Sequence, residues 1–431
     1  MPMLKLKFDG LRSAYSQSPG YANGHRTLTL LISAIALLTP SSAQAVLKDS
    51  PKALVDQAWQ IVYRDFVDRS FNRKDWLKLR QTYLNRSYSS TQEAYGAVQA
   101  MLSELEDPFT RFLTPEGIKD LVDNVSGGFI GVGLTVGLDP QTKEWIVIEA
   151  LSGSPAAAAQ IQVRDVVVSI NGQPTPQIDS NQISQYIIGP VGSKVSLQIR
   201  RGDQVQDYQL VREQLDLNPI TYQAQATASG RVGYIRFPIF TTKSPQLMQR
   251  AIQALEQQHV KGYILDLRGN PGGVFEASID IARMWLGQRQ LISRVEQRGQ
   301  QERYTAKGQA LTLKPLIILV DGQSASASEV LSAALQENNR AKLIGSQTFG
   351  KGVVQTLANL QDGSGVVVTI AQYYTPKGNN IHKVGITPDV VVNVPAAEQI
   401  QRDPSLILPS QSDRSYARAL KELSQVIRSQ P

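Results

Sequence analysis

The chain of 431 residues contains no cysteine, which excludes disulfides, thiolate metal sites and a cysteine nucleophile together. Histidine is nearly as scarce: His25, His259 and His382 are the whole supply, so a histidine-rich metal site is excluded and no metal or cofactor is expected. Charge of one sign is thin as well. The formal charge is +7, and Lys5, Lys7, Arg12 and Arg26 less Asp9 supply +3 of it within the first 45 residues. The remainder has no basic run longer than Arg200-Arg201 and no interleaved aromatics on which bases could stack, so no nucleic-acid partner is expected. Long apolar runs are also missing. The stretch Leu28–Leu38 is about 11 residues, short of the roughly 20 that span a bilayer, and nothing later approaches that length.

That apolar stretch has a use of its own. Basic residues precede it, and Thr39-Pro40-Ser41-Ser42 and then Ala43-Gln44-Ala45 follow, a small-x-small cleavage pattern. The reading is a signal peptide over residues 1–45, cut before Val46, with an uncleaved anchor as the rival. The mature protein is then exported without a stable membrane span, which leaves peripheral membrane association open.

Length and patterning point to several domains. Over 46–120, apolar residues such as Leu54, Ala58, Ile61, Val62 and later Ala94, Val98, Met101 and Leu105 recur at helical spacing, and Asp107-Pro108 ends the pattern. Over 121–213, a glycine-rich opening, Gly127-Gly128-Phe129-Ile130-Gly131-Val132-Gly133-Leu134, precedes short β-type runs at Trp145–Glu149, Asp165–Ile170 and Lys194–Arg200. Over 214–395, strand and helix patterns alternate: Val232–Phe237, Tyr263–Leu267, Pro315–Val320 and Leu343-Ile344 read as strands. Ser244–Gln257, Phe275–Leu286 and Ala327–Gln336 read as helices, which predicts an α/β core. Residues 396–431 are a polar tail with a weak helical pattern from Tyr416 to Ile427.

The residues that could carry chemistry lie in that third domain. Ser324-Ala325-Ser326-Ala327-Ser328-Glu329 sits at a strand-to-helix turn, where unpaired amides of the first helical turn can stabilise an oxyanion. The plain alternative is a helix cap, since Ser326 and Glu329 have capping-box spacing. Lys351, in Phe349-Gly350-Lys351-Gly352, favours catalysis. A lysine is a useful base only when neutral, against a reference pKa of about 10.4, which requires burial away from acids. Phe349, Val353 and Val354 are apolar, and no acid lies between Ala341 and Asn359. Gln355 could orient the amine or be an ordinary strand glutamine. Arg268-Gly269-Asn270-Pro271-Gly272-Gly273, after the buried strand, would expose amides at the carboxyl end of the sheet or form only a tight turn.

A decoy shares this region. Gly345-Ser346-Gln347-Thr348-Phe349-Gly350-Lys351 matches the start of a phosphate-binding loop, but Gly352 stands where Ser or Thr should bind magnesium, and Val353–Leu360 reads as a strand. Nucleotide binding is not expected.

Together these runs resemble the carboxyl-terminal processing proteases, a Ser/Lys endopeptidase family. Asp107-Pro108-Phe109-Thr110-Arg111-Phe112-Leu113, Tyr374-Thr375-Pro376-Lys377-Gly378 and Gly385-Ile386-Thr387-Pro388-Asp389 are also similar to family motifs. Gly131–Leu134, Gly153–Ala157, Asp165–Gly172 and Gly192–Val195 resemble a PDZ domain. The resemblance implies a multidomain α/β protein: a helical N-terminal unit, a PDZ domain and a crotonase-like α/β serine protease core. It implies Ser326 as nucleophile, Lys351 as general base, Gln355 beside it, and the amides of Gly272 and Ala327 as the oxyanion hole. It also implies protein substrates cut near their carboxyl termini, their tails held at Gly131, Val132, Gly133 and Leu134. The compartment would be the periplasm, or the thylakoid lumen in an oxygenic phototroph. Two positions depart from the family's PDZ pattern: Gln160 and Arg164 stand where glycines are usual, which predicts altered turns with binding retained. Two other readings remain, a tail-binding scaffold without activity and an amidase or esterase for small molecules.

Overall fold

The computed structural model describes residues 50–429 apart from 140, 141, 152, 179–182, 188, 217–219, 394–408, 410 and 411. The expected signal peptide and its cleavage point lie outside the described residues. The chain forms two compact units.

One unit runs to Pro115 and also takes in Thr356–Val368. Its helices Pro51–Asp65, Trp76–Leu84 and Thr91–Ser103 each follow a short polar residue, Ser50, Asp75 or Ser90, whose side chain accepts the amide three residues on. Leu54, Ala58, Val62, Val98, Met101 and Leu102 are buried, as their helical spacing requires. Strand Arg111–Leu113 pairs antiparallel with Gly365–Val367.

The other unit holds Glu116–Gln355 and Thr369–Pro431. Its first part is an antiparallel sheet in the order Leu134–Leu138, Trp145–Ala150, Val166–Ile170, Lys194–Arg201, Gln204–Val211. Val132, Val147, Val167, Ile170, Val195, Leu197 and Ile199 fill its core. Strand Leu134–Leu138 is at the sheet edge. Gln160 and Arg164 correct the expectation of altered turns. Their φ values are 59° and 71°, so the backbone keeps a conformation that suits glycine and carries the strain of a side chain. Arg201 straps the region, donating to the Gln160 carbonyl at 2.8 Å and pairing both carboxylate oxygens of Asp165.

The second part is a six-stranded sheet in the order Thr221–Thr227, Gly230–Arg236, Gly262–Asp266, Leu316–Val320, Ala341–Gly345, Val390–Val391. After an antiparallel first pair, every neighbouring pair is parallel. The expected strands and helices are therefore present, and the α/β class holds. Continuous apolar runs are what a sheet covered on both faces demands. Tyr263 faces Trp285 of helix Phe275–Trp285, with ring centroids 5.3 Å apart. On the opposite face, Tyr234, Ile264, Ile317 and Ile344 pack with Tyr416, Ala419 and Leu423. Those three belong to helix Arg414–Ser429, so the end of the expected polar tail is a packed helix of the core. Its polar outer face hides that role in composition. Among the described residues, no helix is long and apolar enough to cross a membrane.

Candidate active site

The serine run occupies the turn between strand Leu316–Val320 and helix Ala327–Glu337. Its alternation separates three roles. Ser324 Oγ donates to the Leu267 carbonyl at 2.8 Å and Ser328 Oγ to the Asn270 carbonyl at 2.9 Å, so the outer serines fasten the turn to the 267–270 segment. Ser326 Oγ is buried and has no hydrogen-bond partner among the described residues. The capping alternative is only half realised. The Ser326 amide donates to Glu329 Oε2 at 2.8 Å, but the Glu329 amide goes to the Ser326 carbonyl and not to its hydroxyl. Ser326 also sits at φ 58°, ψ −115°, a costly backbone conformation for a residue with a Cβ. A helix cap has no need of that strain. A nucleophile held at a sharp strand-to-helix turn does.

Lys351 is 4% exposed, between the serine helix and strand Val353–Asn359. That strand follows directly, so the phosphate-loop reading fails on structure as it does on sequence. Gly350 has φ 89°, and a Cβ there would lie 2.8 Å from the amide nitrogens of Val384 and Gly385. At Gly352 a Cβ would meet the His382 amide nitrogen at 2.9 Å. Glycine on both sides therefore lets the lysine turn lie against the 382–385 segment. Val353 and Val354 are buried as expected, but Phe349 is 59% exposed, so its ring does not bury the lysine.

Two residues that sequence reasoning left without a catalytic part connect Ser326 to Lys351. Glu329 is fully buried, and its carboxylate accepts from the amides of Ser326, Gly350 and Lys351 and from the hydroxyl of Thr348, all between 2.6 and 2.9 Å. Burial pushes its pKa above the ordinary carboxylate range, against the opposing pull of those hydrogen bonds. Tyr373, also buried, shares its hydroxyl between the Lys351 carbonyl at 2.7 Å and the Ser326 carbonyl at 3.1 Å. Its pKa is raised well above the ordinary phenol value, first by burial and then by Glu329, so the hydroxyl keeps its proton and remains a donor. The absence of acids near Lys351 in sequence is not preserved in space, because the fold brings Glu329 to its amide.

Gln355 is buried on the strand after the lysine. Its Nε2 donates to Thr369 Oγ1 at 3.3 Å, and its Oε1 has no partner among the described residues. Gly272 lies against the serine turn: a Cβ there would fall 2.8 Å from Ser326 Cβ and 2.9 Å from the Ala327 nitrogen. Its amide, however, donates to Asn270 Oδ1 at 2.9 Å, so in this conformation it is engaged within its own turn. Ala327 opens its helix, which leaves its amide without an acceptor inside the helix. Gly131 ends strand Gly128–Gly131, Val132 is buried, and Gly133 and Leu134 lead into the edge strand. Gly133 is at φ 79°, and a Cβ there would overlap Ser154 at 2.2 Å. Among the described residues, no group of three or more His, Asp or Glu side chains could hold a metal ion.

Peptidase family S41 matches residues 231–392, and a PDZ domain matches residues 146–201. A carboxyl-terminal-processing protease of Synechocystis sp. is 40% identical over 370 residues, covering 85% of this chain and 86% of that protein. The chloroplastic carboxyl-terminal-processing peptidase 2 of Arabidopsis thaliana is 36% identical over 379 residues, covering 83% of this chain and 74% of that protein. A solved photosystem II D1 C-terminal processing protease superposes with a TM-score of 0.57 at 35% identity, covering 80% of this chain and 93% of that one.

Proposed function

Since the chain belongs to the carboxyl-terminal-processing proteases of peptidase family S41, we propose that Ser326 is its nucleophile and Lys351 its general base. The supporting observation is that both residues hang from the same two buried groups: their amides share the Glu329 carboxylate and their carbonyls share the Tyr373 hydroxyl. Such a frame holds the reacting groups in register before substrate arrives.

In this reading the neutral amine of Lys351 takes the proton of Ser326 Oγ as that oxygen bonds to the scissile carbonyl carbon. The carbonyl oxygen becomes an oxyanion held by the amides of Ala327 and Gly272, and the latter exchanges Asn270 for it. The Lys351 ammonium returns the proton to the leaving nitrogen as the C–N bond breaks. Water then attacks the acyl-enzyme, giving its proton to Lys351, which passes it to Ser326 Oγ as the ester C–O bond breaks and the new carboxyl end leaves. Gln355 Oε1, buried and without a partner, is the acceptor that orients the amine.

Substrate tails are captured by the PDZ domain. The edge strand Leu134–Leu138 has one side unpaired in its sheet, so an extended tail adds there as a further strand, its carboxylate on the amides of Gly131–Leu134. Capture raises the local concentration of the tail at the cleavage site. The substrates are exported proteins with carboxyl-terminal extensions, in the periplasm or the thylakoid lumen. A precursor of the photosystem II D1 kind is one example, by likeness to the solved protease of that name.

The test is turnover of a tailed polypeptide. Ser326→Ala and Lys351→Ala each abolish it with the fold retained, and Lys351→Arg fails too, because a guanidinium stays protonated. A fluorophosphonate probe labels the wild type and not Ser326→Ala. Appreciable turnover by any of the three purified variants refutes the dyad.

A further inference from the structure

The turn that carries Gly272 is fastened on two sides. On the nucleophile side, Ala325 and Ser328 both donate to the Asn270 carbonyl, at 3.0 and 2.9 Å. On the sheet side the fastening is ionic. The side chain of Arg268, only 6% exposed, donates through Nε and Nη2 to the two oxygens of Asp266 at 2.9 and 2.6 Å. Through Nη1 it donates to Asp413 Oδ1 at 2.8 Å. Tyr234 adds its hydroxyl to Asp266 at 2.7 Å.

Asp413 comes from the far end of the chain. The same Oδ1 accepts the Tyr416 amide at 3.0 Å, and its carbonyl accepts the Ala417 amide at 2.8 Å, so Asp413 is the N-cap of helix Arg414–Ser429. One carboxylate thus caps the last helix and grips the arginine that leads into the Gly272 turn. Asp266 alone would neutralise Arg268. Burying a second carboxylate on one guanidinium costs desolvation and is a poor device for stability, whereas it does fix orientation.

We infer that Asp413 is a positioning residue for cleavage: by holding Arg268 it sets the Arg268–Gly272 turn against Ser326 and couples the carboxyl-terminal helix to the oxyanion donors. The inference rests on the protease reading above. Asp413→Ser separates the two duties of the carboxylate, because serine caps a helix well but carries neither the charge nor the reach for Arg268. Asp413→Asn keeps an oxygen at the same distance.

The experiment uses the full chain and a tailed polypeptide, with rates normalised to folded enzyme by circular dichroism. For Asp413→Ser the expected result is a kcat lower by about tenfold, a KM within about twofold of wild type, and fluorophosphonate labelling of Ser326 slowed in parallel. Asp413→Asn recovers part of the kcat. Should the serine variant fail to fold, the asparagine variant carries the same comparison. Wild-type kcat and labelling rate in a folded Asp413→Ser overturn the inference, as does a rise in KM with kcat unchanged. If wild type shows no turnover that Ser326→Ala removes, the protease reading itself fails and takes the inference with it.

Discussion

Glu329 Oε2 lies 2.8 Å from the amide nitrogen of Ser326 and 2.9 Å from that of Lys351, so one oxygen atom ties the two proposed catalytic residues together. The amides of Ser326, Gly350 and Lys351 and the Thr348 hydroxyl all donate to this carboxylate, so a proton on it displaces a donor. Its raised pKa then has opposite consequences for folding and for activity. For stability, an acid that binds its proton more tightly when folded favours the fold below its unfolded value, and that contribution is lost as pH rises through the folded one. For activity, protonation as pH falls through the same raised value drives a donor out of the frame. The wild-type kcat/KM profile should therefore decline on its acid side above the ordinary carboxylate range. Glu329→Gln should lower kcat about 100-fold, roughly 2.7 kcal/mol, and leave only the acid limb that protonation of Lys351 sets. An unchanged acid limb in the variant would count against Glu329 as its source.

Tyr373→Phe removes the hydroxyl shared by the Ser326 and Lys351 carbonyls. Two buried acceptors lose a donor, so unfolding in urea should show a loss of about 1–2 kcal/mol. Turnover at saturating substrate should fall about tenfold, since the lysine strand is held less firmly. A kcat equal to wild type would show that Glu329 alone is enough to hold the frame.

Gly350→Ala places a methyl 2.8 Å from two backbone nitrogens at a residue with φ 89°. Neither neighbour is a flexible side chain that can yield. The lysine turn must shift, and a displacement near 1 Å costs about 100-fold in rate. Steady-state assay of the folded variant measures it.

Gln160→Gly and Arg164→Gly fall within the stretch that matches a PDZ domain, outside the runs that carry Ser326 and Lys351. Each relieves a left-handed residue, at φ 59° and 71°, and should stabilise the protein by about 0.5–1 kcal/mol, seen as a higher melting temperature. Cleavage of a short untailed amide substrate should be unaffected.

The α/β core was legible because its strands are buried on both faces. Leu316–Val320 is apolar at every position, and helix Ser244–Gln257 has the bounds its periodicity predicts. The roles proposed for Ser326 and Lys351 were suggested in sequence because each sits in a short run whose neighbours are small. Glu329 was ambiguous for a physical reason: the spacing that caps a helix is also the spacing that returns a carboxylate to the amide of Ser326. Tyr373 was invisible, because only the pairing of distant strands brings it to the serine turn. Phe349 was misread because apolar character says nothing about direction. Helix Arg414–Ser429 was under-read because Tyr416, Ala419 and Leu423 are a narrow buried stripe among charged residues.

In the proposed mechanism, the bond from the Gly272 amide to Asn270 Oδ1 bears on selectivity between stages of the reaction. A carboxamide oxygen and the carbonyl oxygen of an intact peptide are acceptors of similar strength, so a bound but unreacted chain gains little by displacing Asn270. An alkoxide-like oxygen is a far stronger acceptor and wins the exchange. With Gly272 as the proposed oxyanion donor, the protein's own side chain would be a competitor that only the developing negative charge can beat, which would confine the stabilisation to the summit of the reaction.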